Sequence, residues 1–326
     1  MLAHSLPVNL PPVVLAGFCP SHPTLWHCQT RLQTLVHRYL SADCLCDRLV
    51  DLSAQFRNPQ PRPWQRIDWR QIDPSQIIGI DPLIFVAILA GSADTEDPIR
   101  GYTQTSRQYL APLYPDMARF VGGTVDANGQ LMELGLCEKE ERQHAPALQR
   151  LYTQLTGLKL RLVSHEPRPY QPTGDRQTDL YRHGLHRVAT EYGATCLYLW
   201  LMAHATGPLQ AGLAELLTDE INHMTKFWGF GCWAFPDTSQ TKVLYTLGCS
   251  AWQKLWQGYR QSSLLHTLRR MTQTLHWEAW SLSNQVTFLW TFDLVLRQLL
   301  TWHRRLTPEY LQTVLGENSG HTALER

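Results

Sequence analysis

Two short motifs constrain this chain more than any other feature. Glu141-Arg142-Gln143-His144 and Glu220-Ile221-Asn222-His223 are both ExxH, 79 positions apart, and each follows a further acid, Glu140 or Asp219. Each lies in a window with apolar residues at i, i+3, i+4 and i+7, the period of a helix with one buried face. Positions i and i+3 project from the same side of a helix, so each motif aims a carboxylate and an imidazole at one point. Read singly, Glu141 and His144 make a surface capping pair in the solvated run CEKEERQH. Glu220 and His223 make a helix-end pair before the GFG turn. Read together, the two motifs suggest a shared site.

The rest of the chain supports helices around them. Period-2 runs of β-branched residues are scarce. Helical periodicity covers Leu32–Leu49, Pro82–Ala90, Gln130–Leu155, Leu180–Ala205, Pro208–Trp228 and Gln285–Leu306. Turn-like segments separate them: NPQPRP at 58–63, GGTVDANG at 122–129, EPRPYQPTG at 166–174 and FPDTS at 235–239. The expectation is an all-α protein, a single domain overall in three parts. These are a Pro-rich N-terminal extension with a helix (1–75), a helical core (76–235) and C-terminal helices packed on that core (236–326).

Two more acids complete a ligand set. Glu191 stands 29 residues before Glu220 and is the sole acid between Asp179 and Glu215, in the apolar run HRVATEYGATCLYLWLMAHA. An isolated carboxylate there is costly unless it is paired or bound to metal. The competing reading pairs Glu191 with Arg187, one turn earlier. Glu96, 45 residues before Glu141, takes the equivalent place in the first half, with the Gly-rich segment 122–129 and its flanks absorbing the extra length; Glu133 and Glu138 are alternatives. Two helices giving one Glu each and two giving ExxH is the ligand plan of ferritin-like di-iron bundles. Glu96, Glu141, His144, Glu191, Glu220 and His223 offer four carboxylates and two neutral imidazoles, a set suited to two iron ions, with manganese an option. Glu140 and Asp219 are expected behind them, accepting the other ring N–H of each imidazole.

Composition narrows the remaining classes. The 326 residues carry 29 Lys and Arg against 28 Asp and Glu, a net charge of +1, with 44% hydrophobic residues. That is too apolar for a disordered chain, and it carries no overall signature of nucleic-acid binding. Eight Cys without a CxxC pair make neither a disulfide scaffold nor a four-ligand zinc site, so a reducing, cytoplasmic setting is expected. Residues 7–18 contain three Pro and lack a basic leader, and the apolar stretch Val286–Leu300 is broken by Asp293 and Arg297; neither a signal peptide nor a transmembrane segment is expected.

At its ligand positions the chain resembles the soluble acyl-carrier-protein desaturases of the ferritin-like di-iron superfamily. The likeness spans roughly residues 80–230. Thr95-Glu96-Asp97-Pro98-Ile99-Arg100-Gly101-Tyr102 looks like the desaturase TEEALPTY segment, and Glu140-Glu141-Arg142-Gln143-His144 like EENRH. Glu191-Tyr192-Gly193-Ala194-Thr195 looks like the ERAT segment, and Asp219-Glu220-Ile221-Asn222-His223 like DEKRH. The desaturase threonine falls on Ala194, with Thr195 one step further as the candidate catalytic hydroxyl. Trp64 and Trp69 depart from the desaturase spacing, so a tryptophan electron path is only suggested.

The resemblance implies a ferritin-like four-helix bundle core with additional N- and C-terminal helices, and a di-iron centre using O2 as co-substrate against an unactivated C–H bond. The electron donor would be of the ferredoxin type, acyl carrier protein a further partner, and the assembly a homodimer. Desaturation and hydroxylation both remain open. So do two readings from other classes, a ferritin-like metal store and a metal-free helical interaction protein. Tyr198, Trp200, Phe227, Trp228, Phe230 and Trp233 are candidate walls of a substrate channel, although such residues mostly form core. The charge also divides unevenly. Residues 142–187 carry eight Lys or Arg against three acids, and residues 250–305 seven against two, a net +5 in each. These are candidate docking faces for an acidic partner.

Overall fold

A computed structural model describes residues 25–162, 170–246 and 275–316. Within them the chain is mostly helical, as expected. Helix α4 (Pro82–Glu96) starts at Asp81, whose side chain accepts from the Leu83 amide, with Pro82 preset for the first turn. It is apolar nearly all round and buried over most of its length, the pattern of a central helix. Helix α7 (Leu136–Thr156) closes on Gly157 in the left-handed conformation. Helices α8 (Arg176–Ala203) and α9 (Gly207–Ala234) are the longest described, at 28 residues each. Asp175 caps α8 through the Gln177 and Thr178 amides, and Pro208 opens α9. Three residues join the two helices, so they run antiparallel and pack along each other, as α4 packs along α7. Helix α7 also meets α9, which links the two helix pairs.

The remaining described helices pack around these four. They are α1 (Leu25–Leu40), α2 (Ala42–Val50), α3 (Leu52–Arg57), α5 (Ile99–Leu110), α6 (Pro115–Gly122), α10 (Leu282–His303) and α11 (Pro308–Leu311). Helices α1 and α10 pack on each other and on α8, while α2 lies on α9 and α10. Arg31 of α1 donates to the carbonyls of Met202, Ala203 and Ala205, satisfying the free end of α8. One continuous set of buried apolar side chains runs from Cys28 to Leu315. The described N- and C-terminal helices therefore share a core with residues 76–235.

Several boundaries differ from those the sequence suggested. The window Leu32–Leu49 divides into α1 and α2 at Ser41, whose hydroxyl accepts from the Cys44 amide and starts a new helix. The window Gln130–Leu155 yields a helix only from Leu136. Its first residues form β2 (Leu131–Glu133), antiparallel to β1 (Thr124–Val125). Gly123, at φ +71°, makes this hairpin fit, because a Cβ there would lie 1.7 Å from the Glu133 carbonyl oxygen. The extra length between Glu96 and Glu141 is taken up by α5, α6 and the hairpin, and not by the Gly-rich turn alone. No helix among the described residues is long and apolar enough to cross a membrane. Residues 7–18, together with Glu166, Arg168, Lys254, Arg260, Arg269 and Arg270 of the two basic stretches, lie outside the described residues.

Candidate metal centre

The six expected ligands meet between α4, α7, α8 and α9. Glu96 ends α4, Glu141 and His144 lie early in α7, Glu191 is midway along α8, and Glu220 and His223 are midway along α9. All six are buried. Their ligating atoms fall into two overlapping groups able to hold a metal ion: Glu96, Glu141, His144 and Glu220, then Glu141, Glu191, Glu220 and His223. Within each group the atoms lie within 4.8 Å of one another. Glu141 and Glu220 belong to both groups. Of the alternatives to Glu96, Glu133 pairs with Arg119 at 3.0 Å, and Glu138 with Arg142 at 2.8 Å.

Both imidazoles present Nδ1 to the interior. His144 Nδ1 is 3.2 Å from Glu141 Oε2 and 3.1 Å from Glu220 Oε1. His223 Nδ1 is 3.3 Å from Glu141 Oε1. Their outward nitrogens face the two expected outer carboxylates. Glu140 Oε2 is 2.8 Å from His223 Nε2, and Asp219 Oδ2 is 3.4 Å from His144 Nε2. Each outer carboxylate thus serves the imidazole of the opposite motif. An acceptor on Nε2 holds the proton there and leaves Nδ1 free for a cation.

Charge is crowded here. Burial raises the Glu96 carboxyl above its ordinary range, against the nearby His144 imidazole and the Tyr198 hydrogen bond. Burial also raises Glu220, well above its ordinary range, with Glu141, Glu191 and Glu96 adding to it. Burial alone would lower His144, but Asp219, Glu141, Glu220 and Glu96 outweigh it and hold the ring well above its usual value. The buried atoms Glu96 Oε2, both Glu141 oxygens, Glu220 Oε1, His144 Nδ1 and His223 Nδ1 have no hydrogen-bond partner. Buried polar atoms are rarely left so, and here they all face one interior. The donor set, oxygen-rich with two imidazoles, fits iron or manganese.

Four further residues shape the site: Trp64, Tyr198 and Arg187, which the sequence already marks, and Arg62, which it does not. Arg62, in an extended segment before α4, donates from its amide to Glu140 Oε1 at 3.0 Å. Its guanidinium donates to Asp219 Oδ1 and to Glu215 Oε2. Trp64 donates its indole N–H to Asp219 Oδ2 at 2.8 Å, and its ring is stacked 6.4 Å from that of His144. Trp69 instead lies under the Arg150 guanidinium. Tyr198 donates to Glu96 Oε1 at 2.9 Å. Arg187 Nη2 lies 2.8 Å from Glu191 Oε1, so the proposed pairing exists while Glu191 still belongs to the cluster.

Thr195 follows Glu191 by one turn, is buried, and its hydroxyl has no partner. The suggested channel residues separate. Trp200 stacks on Trp280 and donates to Thr287 beside α10, whereas Phe230 and Trp233 line a small cleft with Phe56, Tyr114, Met117 and Leu315. Comparison with protein-family models, curated proteins and solved structures returns no match.

Proposed function

We propose that this chain is a di-iron, O2-dependent oxidoreductase acting on an unactivated C–H bond of an apolar, acyl-type substrate, in the manner of a desaturase. The core would be a ferritin-like bundle of α4, α7, α8 and α9 within residues 76–235. The observation that carries the reading is the convergence of six buried ligating residues into two groups sharing Glu141 and Glu220, with their inward atoms unpartnered. Glu96 and His144 would serve one ion, Glu191 and His223 the other. Iron held there supplies reduction of O2 and the oxidising power to attack a C–H bond. Manganese is the alternative metal.

The chain's own residues would do the rest. Glu140 and Asp219 fix the tautomer and orientation of both imidazoles. Arg62 holds Asp219 in place through two N–H groups. Trp64, half-buried, gives an electron from a ferredoxin-type donor a hydrogen-bonded path through Asp219 to His144. Thr195, one turn after Glu191 with an unpartnered hydroxyl, would deliver a proton. With this reading go a cytoplasmic location, a homodimer, and acyl carrier protein as the bearer of substrate.

Anaerobic reconstitution with Fe(II), followed by elemental analysis, tests the central claim. About two irons per chain are expected. Less than about a tenth of that would refute the reading. Glu191→Ala should lose metal; full retention would remove Glu191 from the ligand set. Acyl and metabolite profiling of a deletion strain then separates desaturation, which predicts a missing unsaturated acyl species, from hydroxylation, which predicts a missing hydroxylated product.

A further inference from the structure

The cluster is nearly duplicated about Glu141, and the halves differ most plainly where Tyr198 stands opposite Arg187. On one side Tyr198 fixes Glu96 Oε1, leaving Oε2 3.9 Å from His144 Nδ1. On the other, Arg187 lies against Glu191 Oε1, leaving Oε2 3.9 Å from His223 Nδ1. Glu141 divides in the same way, Oε2 toward His144 and Oε1 toward His223. A neutral phenol thus stands where the other half has a guanidinium. Arg187 is buried, its charge lies over the Phe227 ring at 5.1 Å, and it is 3.6 Å from Glu141 Oε1, the oxygen on the His223 side. Its Nε and Nη2 make no hydrogen bond. A guanidinium does not deprotonate in a protein, so this charge is permanent.

We infer that Arg187 makes the two cation positions unequal. A divalent ion enters the Glu96/His144 position first. The Glu191/His223 position fills second and more weakly, because it shares Glu191 and one oxygen of Glu141 with a fixed positive charge. The inference rests on the di-metal reading and gives it an order of loading. Even at the dielectric constant of water, a unit charge at contact range of a divalent ion separates the two affinities by about tenfold or more. Arg187 is a positioning residue here, acting on a ligand and not on substrate. At limiting metal the protein would carry a single ion, and two different metals could be loaded in sequence.

Anaerobic Mn(II) titration of the full chain, followed by calorimetry and by the electron paramagnetic resonance signal of free Mn(II), reads this without any turnover. The wild type should bind in two steps separated by about tenfold or more. Arg187→Met should draw the steps together to within about threefold, while Arg187→Lys, which keeps the charge, should leave them apart. Tyr198→Phe should weaken the first step and spare the second, which keeps the inference testable if Arg187→Met fails to fold. Circular dichroism checks the fold of each variant. Two indistinguishable steps in the wild type, or an unchanged separation in folded Arg187→Met, would overturn the inference while leaving two metals bound. A wild type that binds neither Mn(II) nor Fe(II) would overturn the di-metal reading itself.

Discussion

Arg62 holds three acids, Glu140, Glu215 and Asp219, from a segment with no regular structure. Asp219 is fully buried, so removing the guanidinium leaves its carboxylate without one of its compensating charges. Arg62→Ala should therefore cost about 2–4 kcal/mol in denaturant unfolding, allowing for the partial exposure of the arginine. Arg62→Lys should recover only part of this, because one ammonium cannot reproduce the fork across two acids. A loss under about 0.5 kcal/mol for Arg62→Ala would show that the clamp is ornamental. Two histidines outside the cluster, His204 buried and His183 half-buried, set an acid limit. Burial pushes His183 down to about 3 and His204 down to about 4. Both lie below the unfolded value near 6.5, so the unfolded chain binds more protons as the pH drops through that window. The stability from keeping them neutral is complete above about pH 6.5 and is lost toward pH 4 and 3, each group costing about 1.4 kcal/mol per pH unit in its window. His183→Gln keeps a donor toward Ser106, which lies 2.8 Å from His183 Nε2, but cannot titrate. Its unfolding midpoint should fall less steeply between about pH 7 and about pH 5, and an identical slope would exclude His183 as a cause.

Glycines show where helices touch and where they do not. On α9, a Cβ at Gly229 would lie 2.6 Å from Leu49 Cδ1 of α2, whereas on α8 one at Gly184 would meet nothing within 4 Å. Gly229→Ala should cost about 1–3 kcal/mol, tempered by the freedom of the leucine to turn. Gly184→Ala should add about 0.5–1 kcal/mol, since it stiffens the unfolded chain and the helix without a clash. Thermal unfolding of the two variants should shift in opposite directions; equal shifts would show that the α2–α9 contact is looser than described. The same elements show what could be read in advance. Helices α7, α8 and α9 were legible because each buries a stripe repeated over many turns, and their ExxH and Glu191 positions follow from that phase. The break at Ser41 was not legible, since the apolar period continues across it and a single hydroxyl cap decides the matter. Helices α5 and α6 were missed because their windows are short and interrupted by Gly and Pro. Arg62 carried no signal at all: its partner Asp219 is 157 positions away, and no local pattern records such a contact.

Across the whole molecule, the cluster ties together segments far apart in the chain, from Arg62 through Glu96 to His223. No such convergence exists in an unfolded chain, so any ion bound there binds the native state alone and stabilises it. Without an ion, Arg187 lies against only two of the four inner carboxylates, Glu141 and Glu191, and the acids around the two imidazoles raise them well above their usual range. Burying that concentration of charge in an apolar core is costly, and a bound cation would offset it. A divalent metal at about a hundredfold its dissociation constant should add about 2.7 kcal/mol per site. For a chain of this size that corresponds to a rise on the order of 5 °C in Tm for each ion. Excess chelator should reverse the shift. Glu191→Gln, which keeps the shape of the ligand and removes its charge, should lose the larger part of the second ion's share. If wild type and Glu191→Gln respond equally to Mn(II), the stabilising ion sits elsewhere. If neither responds, the buried acids are held by shared protons and the centre does not bind metal. A rise that is large in the wild type and reduced in Glu191→Gln is the pattern that links this interior to metal, because no surface acid would distinguish the two proteins.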